Sequence, residues 1–139
     1  MTYQTIAFAL NINQKIETPF DLMDLARQGL FRSAMDSLAN LLDLSTKDLV
    51  QYLHISERTL QRYDEQKKLS AELSDHLIQL ARVYARAVEV FEDPDAAVKW
   101  LKYPSPALGG ITPLSCLDNF SGIELILDEL GRIEYGVYA

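Results

Sequence analysis

Cysteine, histidine and long apolar runs are all scarce in this chain, and each shortage closes off a class of function. The one cysteine, Cys116, cannot form an internal disulfide, which fits a cytoplasmic protein and excludes a disulfide-stapled secreted fold. It lies in the apolar run Leu114-Ser-Cys-Leu117 and reads as a small core residue, not a nucleophile. The two histidines, His54 and His76, are far apart and lack the cysteine–histidine spacing of a zinc site, so both read as structural or solvent-exposed and no metal is expected. No apolar run approaches the roughly 20 residues that cross a bilayer. The mildly apolar start, Met1–Leu10, has no basic flank and does not read as a signal peptide. Gly109-Gly110 follows prolines, not a strand, so no phosphate-cradling loop is present. No catalytic constellation converges, and no cofactor is expected; a small enzyme or cofactor binder is disfavoured.

Basic charge is also in deficit, with 13 Lys and Arg against 20 Asp and Glu and a net charge of −7. The imbalance is uneven: residues 1–69 carry 8 basic and 9 acidic groups, whereas residues 70–139 carry 5 and 11. An acidic second half is repelled by phosphate backbones and drawn to basic protein surfaces. Nucleic-acid contact is therefore expected from the first half and a basic protein partner from the second.

What is present is helical patterning nearly throughout, so the expected class is all-α; only Thr5–Ile12 has an alternation that suits a strand. Thr18-Pro19 signals a cap and first turn, with Gly29 as the stop, and a second helix starts near Ser33. Ser45-Thr-Lys-Asp48 opens a third in capping-box fashion. His54 and Ile55 then separate it from Ser56, the cap of a fourth helix running to Glu65. Ser70 caps the longest helix, to about Glu92, whose apolar positions Leu73, Leu77, Leu80, Tyr84, Ala87 and Phe91 repeat every 3.5 residues. That stripe either packs inside one core or pairs two copies of the chain. Asp93-Pro94 opens a helix ending near Lys102, Thr112-Pro113 opens another, and Ser121-Gly-Ile-Glu124 reads as the capping box of the last, which Gly136 ends.

Two short helices about a tight turn over 45–68 form a helix-turn-helix outline, in which the second helix enters the major groove. Its outward residues Arg58, Gln61 and Arg62, with Glu57, are the candidates for base and phosphate contact, while Leu60 and Tyr63 turn inward. Ser56 and Thr59 are placed to donate to a phosphate, and Lys67 and Lys68 to add backbone contacts. The competing reading is a helical hairpin with a solvated charged face. Segment 56–68 has four basic against three acidic groups, so a lone copy is expected to bind DNA weakly and useful affinity to need two or more copies.

The run from Trp100, the only tryptophan, through Leu101, Pro104, Pro106, Leu108-Gly109-Gly110 and Pro113-Leu114 holds more chain-benders and apolar groups than a connector needs. Read with the upstream helix-turn-helix, the chain resembles the Xre/ParS/MbcA-type antitoxins of the RES-Xre toxin–antitoxin family. The resemblance spans about 18–139. In the first part it rests on Thr18-Pro-Phe-Asp-Leu, Gly29-Leu30 and Ile55-Ser56-Glu-Arg58-Thr59-Leu60-Gln-Arg62. Leu69-Ser70, Ser74-Asp75 and Ala87-Val-Glu-Val-Phe91 carry it through the long helix. Beyond it come Trp100-Leu101, Pro104, Leu108-Gly109-Gly110, Pro113-Leu114, Gly122 and Leu130-Gly131-Arg132-Ile133-Glu-Tyr135-Gly136-Val137. The sequence departs at His54, where the family's turn usually has glycine.

The resemblance implies an Xre-like DNA-binding region at 18–69, a linking or dimerisation helix at 70–92 and a toxin-binding region at 93–139, behind an extension of residues 1–17 without an assigned role. It implies neutralisation of an NAD-degrading RES-domain toxin protein by covering its NAD pocket, and repression of the chain's own operon by binding operator DNA, with the chain dimeric and away from membranes. Toxin contact is assigned to Trp100, Leu101, Leu108, Gly109, Gly110, Pro113, Leu114, Gly131, Arg132, Tyr135, Gly136, Val137, Tyr138 and Ala139. A pocket for a dinucleotide offers cations for phosphates and flat apolar faces for rings, and the acidic end with Tyr135, Tyr138 and the Ala139 carboxylate suits both; a frayed tail is the competing reading. Gly131 inside a helix costs about 1 kcal/mol against alanine, which close approach of another backbone justifies. The alternative function is a stand-alone helix-turn-helix transcriptional regulator whose second half dimerises or senses a ligand.

Overall fold

A computed structural model describes residues 2–136 of the protein, which form eight α-helices joined by turns, with no strand among the described residues. The assignments made for Val137, Tyr138 and Ala139 lie outside the described residues. The centre of the fold is α6, Ala71–Phe91, capped by Ser70, whose hydroxyl accepts from the Leu73 N–H at 3.1 Å, and ended by Glu92 in the left-handed region at φ 58°. Four helices pack around it: α1 (Thr2–Ala9), α2 (Pro19–Gln28), α7 (Pro94–Lys102) and α8 (Phe120–Glu134). The 3.5-residue stripe is thereby settled as intramolecular, because Leu73, Leu77, Leu80, Tyr84 and Ala87 are buried in the chain's own core. Ile78, Ala81 and Val83 are buried as well, so α6 is a central mast that packs on its own chain over more than the one stripe.

The suspected strand at Thr5–Ile12 is instead largely helix. The buried side chains Ile6, Ala9 and Leu10 recur at three and four residues, which puts them on one helical face against α6, whereas a strand would turn Ile6 and Ala9 to opposite faces. Together with Ile16 they tie the stretch before α2 into the main core. Each such large aliphatic side chain, taken from water, contributes about 2 kcal/mol.

The caps read from sequence hold at α2, where Thr18 and Asp21 form a reciprocal capping box, and at the starts of α4 (Thr46–Leu49) and α5 (Glu57–Gln61), where Ser45 and Ser56 accept from the N–H three residues on. α3 (Arg32–Leu41) begins after Phe31 with no side-chain cap. The last helix starts two residues earlier than Ser121 suggested: Asn119 is the cap, its Oδ1 accepting from the Gly122 N–H at 2.8 Å, so the apparent Ser121–Glu124 box lies inside α8. Thr112-Pro113 opens a single 3-10 turn, Leu114–Cys116, and not a full helix. α5 stops at Gln61, short of Glu65, because the Asp64 carboxylate accepts from the N–H groups of Gln66 and Lys67 and turns the chain away. Those two bonds also hold the Asp64 carboxyl below its ordinary value.

Several residues that carried the resemblance meet in one knot. The Leu30 N–H donates to the buried Ser74 hydroxyl at 2.9 Å, and the Leu69 N–H donates to the Leu30 carbonyl at 2.7 Å. Gly29, at φ 88°, ends α2 beside them, where a Cβ would stand 2.7 Å from the Leu69 carbonyl oxygen. Glycine is required there by both conformation and space. The knot fixes where α2 ends relative to the start of α6, and so holds the helix-turn-helix between them.

Candidate functional site

The helix-turn-helix is built by α4, a 3-10 continuation Val50–Leu53, a turn and α5. Leu49, Val50, Leu53 and Leu60 anchor its underside in the core. Arg32 on α3 donates to the carbonyls of Leu60 and Tyr63 at 3.3 and 3.4 Å, pinning the end of α5. Arg58, Gln61 and Arg62 are exposed, as the amphipathic pattern required; Leu60 is buried and Tyr63 half-buried. Glu57 is held by Lys47 at 2.7 Å, an ion pair that raises the Lys47 amine above its ordinary value. One of the three acidic groups of the segment is thus neutralised by a neighbour, leaving Arg58 and Arg62 to set the sign of the outer face.

The Ser56 hydroxyl accepts from the Thr59 N–H and donates to Thr59 Oγ1, both at 3.1 Å. Ser56 is therefore committed to the cap, and of this pair the Thr59 O–H is the one left to donate outward. Lys67 lies over the Tyr63 ring at 5.3 Å and Lys68 over the Phe31 ring at 5.6 Å, which places both ammonium groups at the edge of the motif.

His54 occupies the turn in the left-handed region, at φ 58° and ψ 34°, where a residue with a Cβ is strained. Its ring explains its presence: Nε2 donates to the Asp118 carbonyl at 2.6 Å. His76 on α6 donates in the same way to the adjacent Leu117 carbonyl at 2.9 Å, with the two rings 6.3 Å apart. A glycine here relieves the strain but loses the bond to the loop before α8. Both histidines are thus structural, and together they tie the turn to the second half of the chain. Lys102, at the end of α7, adds another tie through the Asp43 carbonyl at 2.8 Å.

The second surface is the loop between α7 and the 3-10 turn before α8. It closes on itself: the Ser105 N–H donates to the Ile111 carbonyl and the Gly110 N–H to the Ser105 carbonyl, both at 2.9 Å. Gly109 and Gly110, at φ 74° and 90°, make the reversal that lets these bonds form. The result is a firm projection bearing Tyr103, Pro104, Pro106, Ala107 and Ile111, all exposed, with Tyr103 and Ile111 exposed at 64% and 50%. Leu108 is half-buried at its base.

The residues assigned to toxin contact are distributed in depth. Leu101, Pro113 and Leu114 are buried and shape the projection from beneath. Trp100 is half-buried and stacks at a tilt on Phe91, 5.7 Å between ring centroids, supporting the base of the loop. Along α8, Arg132 is exposed and pairs with the buried Glu129 at 3.1 Å, while Tyr135 and Gly136 are exposed at its end. Over Gly131 there is open space among the described residues: a Cβ would find none of their atoms within 4 Å, so no other described part of the chain accounts for the glycine. Sequence reasoning did not single out Tyr103 or Ile111; their apolar character in a loop bounded by Pro104 and Gly110 was the available signal.

Comparisons with known proteins match two parts of the chain. Residues 21–82 match the Antitoxin Xre-like helix-turn-helix domain, and residues 86–136 match the Antitoxin Xre/MbcA/ParS C-terminal toxin-binding domain. An Antitoxin Xre of Photorhabdus laumondii subsp. laumondii is 32% identical over 115 residues, spanning 81% of this chain and 78% of the relative. An Antitoxin Xre of Yersinia enterocolitica is 27% identical over 120 residues, 85% and 81% of the two chains. A protein of a Sphingobium species named Prs ADP-ribosylating antitoxin is 24% identical over 132 residues, 88% and 83%. Helix-turn-helix, self-closed loop and these likenesses agree, and the chain belongs to the Xre/MbcA/ParS antitoxin family, as an antitoxin of a toxin–antitoxin system and not an enzyme.

Proposed function

We propose that this antitoxin neutralises a RES-domain toxin that degrades NAD by covering the toxin's NAD pocket with its C-terminal surface, and that as a homodimer it represses its own operon through α5. The observation that carries the first part is the self-closed apolar projection at 103–111. A loop already fixed by its own backbone bonds loses little conformational freedom on binding, so the apolar area of Tyr103 and Ile111 is available to favour association. The open space over Gly131 supports the same reading, since a partner backbone can approach α8 there. Tyr135, 79% exposed, gives a flat apolar face suited to the space taken by a nucleotide ring, and the acidic second half of the chain suits a pocket lined with cations for phosphates. Direct contact is assigned to Leu108, Gly109, Gly110, Gly131, Arg132, Tyr135 and Gly136, joined by Tyr103 and Ile111. Trp100, Leu101, Pro113 and Leu114 serve as the support beneath.

For the operator, Arg58, Gln61 and Arg62 read bases and phosphates, Thr59 donates to a phosphate, and Lys67 and Lys68 flank the contact, while Ser56 caps the helix that presents them. The small net positive charge of the segment makes binding by two linked copies necessary for useful affinity. NAD and operator DNA place this work in the cytoplasm, and no helix among the described residues is long and apolar enough to cross a membrane.

The test is co-expression with a RES-domain toxin, reading survival and cellular NAD. Rescue is expected from the full chain and reduced rescue from Tyr103→Asp and Ile111→Asp, both exposed and so able to fold. A 1–135 form that binds toxin but restores NAD poorly locates occlusion in the last residues. Failure of the folded full chain to rescue removes the neutralisation reading and leaves the stand-alone regulator.

A further inference from the structure

Between α1, α2, α6 and α8 lies a cleft of about 650 Å³ that neither the helix-turn-helix nor the projecting loop uses. Tyr3, Ile6, Leu22, Met23 and Leu127 give it an apolar floor and walls. Large apolar groups are left in water in and beside it: Met23, which lines the cleft from α2, is 46% exposed, Phe20, next in α2 to the lining Pro19, 72%, and Phe120 on α8, in the recess that adjoins the cleft at Arg82, 66%. Exposed apolar groups gathered around an apolar hollow mark an interaction surface.

The charges in the cleft say what covers it. Asp75 and Arg82 both line it from α6, both are exposed, and neither has an oppositely charged partner among the described residues; Arg82 reaches only the Gln79 side-chain oxygen, at 3.3 Å. They stand seven residues apart on one helical face, about 10 Å along the axis, too far to pair with each other. Arg86, at the far end, is already occupied by Glu89 and by a bidentate pair with Glu134. A two-fold interface is self-complementary, with residue i meeting j and j meeting i. When two copies of α6 meet antiparallel across an axis near Gln79, each Arg82 falls opposite the other copy's Asp75, and both unpaired charges are satisfied at once. Met23 and Phe120, with Phe20 beside them on α2, then cover the second copy's hollow, and four helices contribute toward the roughly 800 Å² per copy that a stable interface needs.

We infer that this cleft is the homodimer surface of the antitoxin, with Asp75 and Arg82 as its reciprocal ion pairs. The inference rests on the homodimer reading above and assigns that dimer a face different from the buried stripe of α6.

The experiment is a charge swap in trans on the full chain, with mass measured by light scattering and native mass spectrometry across a concentration series. Asp75→Arg and Arg82→Asp each place like charges opposite one another twice. Each alone is expected to weaken self-association by roughly a hundredfold. Mixing the two variants restores attraction at both contacts, so a heterodimer of wild-type strength is expected. Matching circular dichroism and melting behaviour establish that each variant is folded, and recovery on mixing gives the same answer independently. A wild-type chain that stays monomeric throughout overturns the dimer reading and the surface with it. Single variants that dimerise like the wild type, or a mixture that stays monomeric, overturn the surface alone. NAD protection on co-expression is scored separately, so loss of the surface is distinguishable from loss of the neutralisation reading.

Discussion

Replacing each of two glycines of α8 with alanine separates local helix preference from packing within one helix. Both substitutions gain the same intrinsic preference, about 1 kcal/mol, because alanine loses less backbone freedom than glycine. At Gly131 no atom of the described residues lies within 4 Å of the added Cβ, so the gain stands and the variant is expected to be more stable by about 0.5–1 kcal/mol. At Gly122 the Cβ would stand 1.8 Å from the Cys116 carbonyl oxygen and 2.8 Å from its carbon. A non-bonded contact needs over 3 Å, so one backbone has to retreat by more than about 1 Å. Neither side yields easily. Cys116 is in a 3-10 turn closed by bonds from the Cys116 and Leu117 N–H groups to Pro113 and Leu114, and Gly122 is held by the Asn119 cap. Overpacking of this kind costs about 1–3 kcal/mol and sometimes more. With two backbones in conflict the upper end applies, and after the preference gain Gly122→Ala is expected to be destabilised by about 2 kcal/mol. The two variants should differ by about 3 kcal/mol, or roughly 10 °C in melting temperature for a chain of this size. Urea unfolding followed by circular dichroism, with slopes compared so that stability is read at constant exposed area, measures the difference. Equal stability of the two, or Gly122→Ala the more stable, refutes the packing argument.

Three further outcomes follow from other parts of the fold. Ser74→Ala removes the acceptor of the buried Leu30 N–H, and a loss of about 1–3 kcal/mol in urea unfolding is expected; Ser74→Thr, which keeps a hydroxyl, should recover part of it. The Arg86 guanidinium bonded to Glu134 holds that carboxyl below its ordinary value of 4.5. Its contribution is therefore complete above about pH 4.5 and lost as pH falls through the depressed folded-state value, so Glu134→Gln should flatten the acid limb of the stability profile in that window and leave its shape near neutrality unchanged. Arg62→Ala should weaken operator binding at all sequences and lower the slope of log affinity against log salt by about 1 if Arg62 meets a phosphate. An unchanged slope with altered base preference assigns it to base contact instead.

The caps at Thr18, Ser45, Ser56, Ser70 and Asp93 were legible because each is a local exchange between a side chain and a backbone N–H a few residues away. α1 was not, because over eight residues Ile6, Ala9 and Leu10 carry too little periodicity to decide between strand and helix until α6 supplies the opposing face. The start of α8 was misplaced because Asn119 and Ser121 are both good caps, and packing of Gly122 on Cys116 selects the earlier. The stripe along α6 revealed an apolar face but not what meets it; α1, α2, α7 and α8 do so within the chain. Of the two surfaces, the outward residues of α5 followed from amphipathic spacing. Tyr103 and Ile111 depend on how a loop closes, which neighbouring residue types do not specify.

The histidine ties bear on how freely the halves of such a protein can be exchanged. His54 belongs to the turn of the helix-turn-helix and His76 to the mast, yet both end on successive carbonyls of the loop that launches α8. A reader grafted in from another member of the family with glycine at the turn brings no ring for the Asp118 carbonyl. Its orientation over α8 is then left to apolar packing and the more distant bonds of Lys102 to Asp43 and of Leu30 to Ser74. Portability of the helix-turn-helix half therefore depends on a residue outside its outward face, and a functional chimera has to carry the turn and its receiving loop across together.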